Sequence, residues 1–226
     1  MNSNTAVASY TISPASSAYI NYPTAGFTSA SLALNAGATV TSGGLLQLTD
    51  GGQGEDRTAW FATPVPVQSF TTDFNFQQLN ASGDGMTFAI QGEGPTAVGG
   101  NGGGLGYQYI PTSVAIKFDL FSNSGEGPDS TGIYTNGALP TVPANNLTGT
   151  GVNLHSGDIM WAHLVYDGTN LTLTLTDTVN GYSATEVYPI NIPATVGGST
   201  AYVGFTGGSG GSSATQNVLS WSYVVP

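Results

Sequence analysis

The chain has 226 residues, 33 of them glycine and none cysteine, and sets 13 carboxylates against two basic side chains, for a formal net charge of −11. Nucleic-acid binders that track phosphates draw their affinity from many Lys and Arg contacts, so a chain holding only Arg57 and Lys117 argues against that partner, and against anionic membrane surfaces. Without cysteine there is no disulfide, thiolate metal site or cysteine nucleophile. Charged residues make up 7 % and apolar residues 39 %, a profile of exposed β structure rather than charged helices or disorder.

A single domain over residues 1–226 is expected, with 1–20 a linker remnant or an edge strand. The first residues lack the basic and apolar regions of a signal peptide, and no apolar run approaches the ~20 residues of a spanning helix, so Met1 reads as the start of an excised mature module with no membrane insertion. Along the chain the dominant period is two. It predicts strands at 45–49, 72–77, 86–91, 114–121, 159–166, 171–177, 201–205 and 218–224. Residues 171–177 alternate strictly, with Leu171, Leu173 and Leu175 on one face and Thr172, Thr174 and Thr176 on the other. Turn clusters such as Asp167-Gly168-Thr169-Asn170 separate the strands, the glycine runs 99–106 and 207–211 read as loops, and no helix is predicted. Many antiparallel strands of this kind predict an all-β sandwich of two sheets.

The segment that carries chemistry is 114–129. Strand parity puts Val114, Ile116, Phe118 and Leu120 on one face and Lys117, Asp119 and Phe121 on the other. Calcium takes six to eight oxygens from carboxylates, amides, backbone carbonyls and water, and Asp119, the Phe121 carbonyl, Asn123 and Asp129 offer that chemistry. Extended, residues 119 and 123 stand ~13 Å apart, too far for one ion, so the chain must curl after Asp119, as Ser124-Gly-Glu-Gly-Pro128 permits. An Asn and an Asp in such a turn also serve simply to cap local backbone.

This segment resembles the metal-binding loop of legume-type (L-type) lectins. The similarity runs through nearly the whole chain: Gly26-Phe27, Leu32-Ala-Leu-Asn-Ala-Gly37, Arg57-Thr-Ala-Trp-Phe61, Gly83-Asp84-Gly85 before Met86-Thr-Phe-Ala-Ile90, Val203-Gly-Phe-Thr206, and Val218-Leu-Ser-Trp-Ser-Tyr223, in the family's order. It implies a jelly-roll sandwich of the concanavalin A-like kind, binding a neutral glycan over a Ca2+ ion without catalysis. Asp119, Phe121, Asn123 and Asp129 would bind the ion. Asp84, the Gly103 N–H, the Phe121 ring and Asn123 would bind the sugar, with Ser209 and Gly210 forming the remaining wall. The resemblance also implies a cis Gly83-Asp84 peptide and a secreted or cell-surface setting.

Two departures from the plant pattern point to a bacterial or otherwise non-plant member. Lys117 stands where those lectins place a Glu, and the Ser130-Thr131-Gly132 region where they place a His, so no manganese site is expected. An ammonium on Asp119's face could compensate the carboxylate charge instead. Glu126 is a rival to Asp129 as calcium ligand. Trp60, Trp161 and Trp221 read as core residues, and His155 and His163 as structural or solvated. Two other functions share the fold. A glycoside hydrolase would need a carboxylate pair across a cleft, and the four glutamates contain no closely spaced pair. A structural or adhesive module would keep calcium and lose sugar recognition. A homo-oligomer, or a place in a larger chain, suits either binding reading.

Overall fold

The computed structural model describes residues 17–226. The expected linker or edge strand at 1–20 therefore falls mostly outside the described residues, but its end is a strand. In chain order the strands are β1 (Ser17–Tyr22), β2 (Leu32–Asn35), β3 (Thr39–Val40), β4 (Leu46–Asp50), β5 (Asp56–Phe61), β6 (Val65–Pro66), β7 (Phe70–Leu79) and β8 (Gly85–Gln91). They continue as β9 (Ser113–Asp119), β10 (Ser130–Thr135), β11 (Asn145–Asn146), β12 (Met160–Tyr166), β13 (Asn170–Asp177), β14 (Ser183–Pro189), β15 (Thr200–Gly208) and β16 (Thr215–Val225).

Two antiparallel sheets form a jelly-roll sandwich. The back sheet runs β14-β13-β12-β7-β16-β4-β3, with β1 also on β16, and the front sheet runs β11-β10-β9-β8-β15-β5-β2, with β6 on β15. Alternation explains the core: Leu171, Leu173 and Leu175 are buried while the intervening threonines face outward, each leucine contributing about 2 kcal/mol by leaving water. Aromatic rings join the sheets. Phe74 of β7 meets Phe88, Phe118 and Phe205 of the front sheet at centroid separations of 5.6, 5.8 and 5.0 Å.

One expectation is corrected. A five-residue helix, Ile192–Val196, lies where none was predicted; Asn191 Oδ1 accepts from the Ala194 N–H (3.0 Å), Pro193 occupies the first turn, and Gly197 closes it in the left-handed conformation. It is too short to show a helical period.

The turn joining β12 to β13 gives a test of local structure. Asp167 Oδ1 accepts from the Asn170 N–H (2.8 Å), and from the Thr169 hydroxyl and N–H (both 2.7 Å), which holds its carboxyl down at about 2 from an ordinary 3.8. A depressed carboxyl contributes stability above its unfolded value and loses it as pH falls through the folded one. Asp167→Ala is therefore expected to lower the melting temperature at pH 7 and to melt like the wild type at or below pH 2, compared by circular dichroism.

Candidate functional site

At one end of the sandwich the loops after β7, β9 and β15 converge with the 99–106 glycine loop. Register sets them together: Gly85 and Ser130 both stand opposite Asp119, Asp84 N–H donates to Gly208 O (3.3 Å), and Leu120 N–H donates to Asp84 O (2.7 Å). The Gly83-Asp84 peptide is cis, as the resemblance implied. Gly85 is required here, because a Cβ would stand 2.5 Å from the Phe118 carbonyl oxygen.

Asp84 is 5 % exposed, and its Oδ2 has no hydrogen-bond partner among the described residues. Burial pushes its carboxyl up, and the Gly210 amide offsets only part of that. Glycines leave the space in front of it open: a Cβ at Gly210 would stand 3.0 Å from Asp84 Oδ2, one at Gly102 3.9 Å, and one at Gly103 2.7 Å from Asn123 Oδ1. The Phe121 ring lies against Gly83 and is 40 % exposed. Asp84, Gly103, Phe121, Asn123 and Gly210 thus come together around one opening.

Ser209 enters differently from the wall residue expected. Its side chain is buried, with Oγ donating to Gly52 O (2.8 Å) and accepting from the Glu55 N–H (3.0 Å). Its carbonyl accepts from the Gly102 N–H (3.0 Å), so Ser209 ties the two glycine loops together instead of facing a ligand. Among the described residues no base reaches that hydroxyl, although 207–211 has the spacing of a hydrolase nucleophile.

Asp119 lies behind the opening, 1 % exposed. Its Oδ1 accepts from the Phe121 N–H (3.2 Å), which begins the predicted curl, and its Oδ2 accepts from Lys117 Nζ (2.8 Å). Lys117 is fully buried, also donates to Thr141 O (2.9 Å), and stands 3.9 Å from Glu126 Oε1. Desolvation pushes Asp119 up to about 6, outweighing the ammonium beside it. Glu126 is buried too, its Oε2 accepting from the Ser124 N–H (2.6 Å) and its Oε1 without a hydrogen bond.

Asp129 closes the loop, with Oδ1 accepting from the Leu154 N–H (2.8 Å). Burial raises its carboxyl and the neighbouring His155 counteracts this. His155 is structural: its ring nitrogens contact the carbonyls of Ala81 (2.7 Å) and Pro128 (3.2 Å). Among the described residues no three His, Cys, Asp or Glu side chains group as a metal centre. The oxygens of Asp119, Asp129, Asn123 and the Phe121 carbonyl are nevertheless all hard donors drawn from one stretch of chain, the chemistry calcium takes.

Two supporting features lay outside the sequence reading. Gln216 is buried, and its Nε2 donates to Gly85 O (2.9 Å) and Gly208 O (3.2 Å), the carbonyls that flank Asp84's attachment to the sheet. The turn after β4 braces the closing loop, with Gly54 N–H donating to Gly210 O (3.1 Å) and Gln53 Nε2 to Gly211 O (2.6 Å). No motif marks either of them.

The chain matches the legume lectin domain over residues 19–225. It is 29 % identical to a non-seed lectin of Pisum sativum, covering 90 % of this chain and 84 % of that one. Favin of Vicia faba is 27 % identical, covering 73 % of this chain and 74 % of its own length. An L-type lectin-domain containing receptor kinase of Oryza sativa subsp. japonica is 29 % identical over 88 % of this chain, which spans about a third, 34 %, of the kinase. Among solved structures, peanut lectin superposes with a TM-score of 0.79 at 25 % identity, over 92 % of this chain and 97 % of that one. A lectin from Bauhinia forficata in complex with GalNAc gives 0.78 at 24 % identity, over 92 % and 98 %. With a jelly-roll sandwich whose loops gather Asp84, Gly103 and Asn123 at one end, the chain belongs to the legume lectin domain family.

Proposed function

We propose that this domain is a non-catalytic, calcium-dependent lectin for a neutral sugar. The observation that carries the reading is Asp84: a buried carboxylate with an orphaned oxygen, opening on a space that only glycines leave free. An unpaired buried acceptor costs about 1–3 kcal/mol, and two sugar hydroxyls donating to it would remove that cost. The Gly103 amide and Asn123 orient the ring, and the exposed Phe121 face packs on its C–H groups.

Neutrality follows from charge. Both basic side chains are engaged, Lys117 in its buried cluster and Arg57 with Asp50 (2.8 Å) and Glu55, so an anionic glycan would meet no free cation at the site. Bound calcium would lie on Asp119, Asp129, Asn123 and the Phe121 carbonyl, fixing Asn123 for the sugar. Glu126 turns toward Lys117, which favours Asp129 as the ligand. The ion supplies positional order and charge; no bond is broken.

A glycan array probed with and without chelator tests this, with galactose and GalNAc included because the Bauhinia forficata lectin was solved with GalNAc. Binding to neutral glycans that disappears with chelator and returns with calcium is expected. Folded protein that binds calcium and no glycan would instead make the domain a structural module.

A further inference from the structure

The outer face of the back sheet carries chemistry the loop site does not use. Trp60 and Trp221 are buried, as expected of core residues, but Trp161 is only partly covered and stands on that outer face. The register places Trp161, Asn75 and Ser220 side by side across β12, β7 and β16. The adjoining row is His163, Asp73 and Ser222, extended by Asn21 of β1.

These side chains are held in place. Trp161 Nε1–H donates to Asp73 Oδ1 (3.1 Å), His163 Nδ1 lies 2.7 Å from the same oxygen, and the two rings pack with centroids 5.3 Å apart, tilted by 30°. Asn75 Nδ2 donates to Ser220 Oγ (2.9 Å). Those bonds leave Asp73 Oδ2, Asn75 Oδ1 and Ser222 Oγ without a protein partner among the described residues. A bulge in β16 between Val218 and Ser220 opens the sheet there, and Leu219 O accepts from Ala25 N–H (3.0 Å), setting Pro23 and Thr24 as a wall. The result is a groove of about 320 Å³ with Trp161 and these polar groups along it.

We infer that this groove is a second carbohydrate site, taking one neutral pyranose ring against Trp161 with its hydroxyls on Asp73, Asn75 and Ser222, independently of calcium. Its chemistry selects the ligand. A partly exposed indole offers a flat apolar face, the uncommitted oxygens accept hydroxyl hydrogens, and the groove's volume lies in the range of small-ligand pockets. Asp73 and His163 already face each other, so no uncompensated cation recruits an anion. A self-association face would be expected to present a broad apolar patch, whereas this one is a single indole ringed by polar groups.

The site is tested apart from the loops. Isotopically labelled Asp84→Asn protein in chelator is titrated with galactose, GalNAc, glucose, mannose and their disaccharides, following the indole N–H resonances by NMR. The Trp161 signal, assigned with Trp161→Phe, is expected to move saturably with at least one probe while those of Trp60 and Trp221 stay fixed. Ser222→Ala should weaken that binding about tenfold, equivalent to ~1.4 kcal/mol. A Trp161 signal unmoved by every probe overturns the inference, as does one that moves only with protein concentration, which would mark a contact between copies of the chain. Absence of glycan binding at the loop site of the calcium-loaded wild type, together with a responsive Trp161 in the variant, would contradict the loop reading and leave this one standing.

Discussion

Asp84→Ala is expected to abolish glycan binding while leaving the melting temperature equal to or above that of the wild type. The two halves of this result have one cause. Asp84 is buried with an unpaired oxygen, and desolvation already pushes its carboxyl up, so the free protein carries the cost of keeping it charged. Bound sugar recovers that cost through two charge-assisted bonds at about 1.5–3 kcal/mol each, so their loss weakens binding by roughly two to four orders of magnitude. Asp84→Asn retains one acceptor and should fall between. Calorimetric titration and thermal melts measure both halves; affinity within threefold of wild type would sink the role given to Asp84.

The largest effect on stability is expected from Lys117→Met. The substitution keeps the volume of the stem but removes the ammonium that bonds Asp119 and Thr141 and faces Glu126. Two carboxylates are then left in the interior without a cation. Breaking a buried pair in this way costs about 3–5 kcal/mol, a large share of the ~5–15 kcal/mol that holds a domain folded. Urea denaturation in chelator should show that loss. Calcium should then stabilise the variant more than the wild type, because an ion at Asp119 restores part of the missing charge. An unchanged melting temperature together with unchanged calcium affinity would show that Lys117 is not the internal counter-ion.

Lys117 also illustrates what the sequence made legible. Its strand parity with Asp119 was readable from a single segment, and the structure realises it as a 2.8 Å ion pair. The β13 alternation and the apolar runs of β8 and β9 were equally plain, because one or both faces are buried and each residue's character reports its side. Unpredicted strands lacked that contrast. β14 lies at the sheet edge with mostly uncovered residues, and β10 carries serine, threonine and glycine beneath the 136–146 connection.

Within the site, Asp84, Gly103, Phe121 and Asn123 were named through the family resemblance, since an Asp between glycines and a glycine in a glycine run read by themselves as turn and loop; the structure brings the four around one opening. Residues that act by holding others were not. Gln216 reaches Gly85 and Gly208 across long sequence separations, and nothing in a glutamine marks that reach. Ser209 was placed in the wall by the resemblance, and its hydroxyl is instead taken up by the loop after β4. Trp161 was read as core because it lies in a strand-like segment; its parity instead puts it on the outer face, opposite in sense to Ala162 and Leu164.

The most direct test is a crystal structure of the protein grown with calcium and soaked with a glycan that the array selects. One ion is expected on Asp119, Asp129, Asn123 and the Phe121 carbonyl, with two sugar hydroxyls on Asp84 and the Lys117 ammonium still on Asp119. An ion bound elsewhere, or a glycan held at this end of the sandwich without contact to Asp84, would contradict the account.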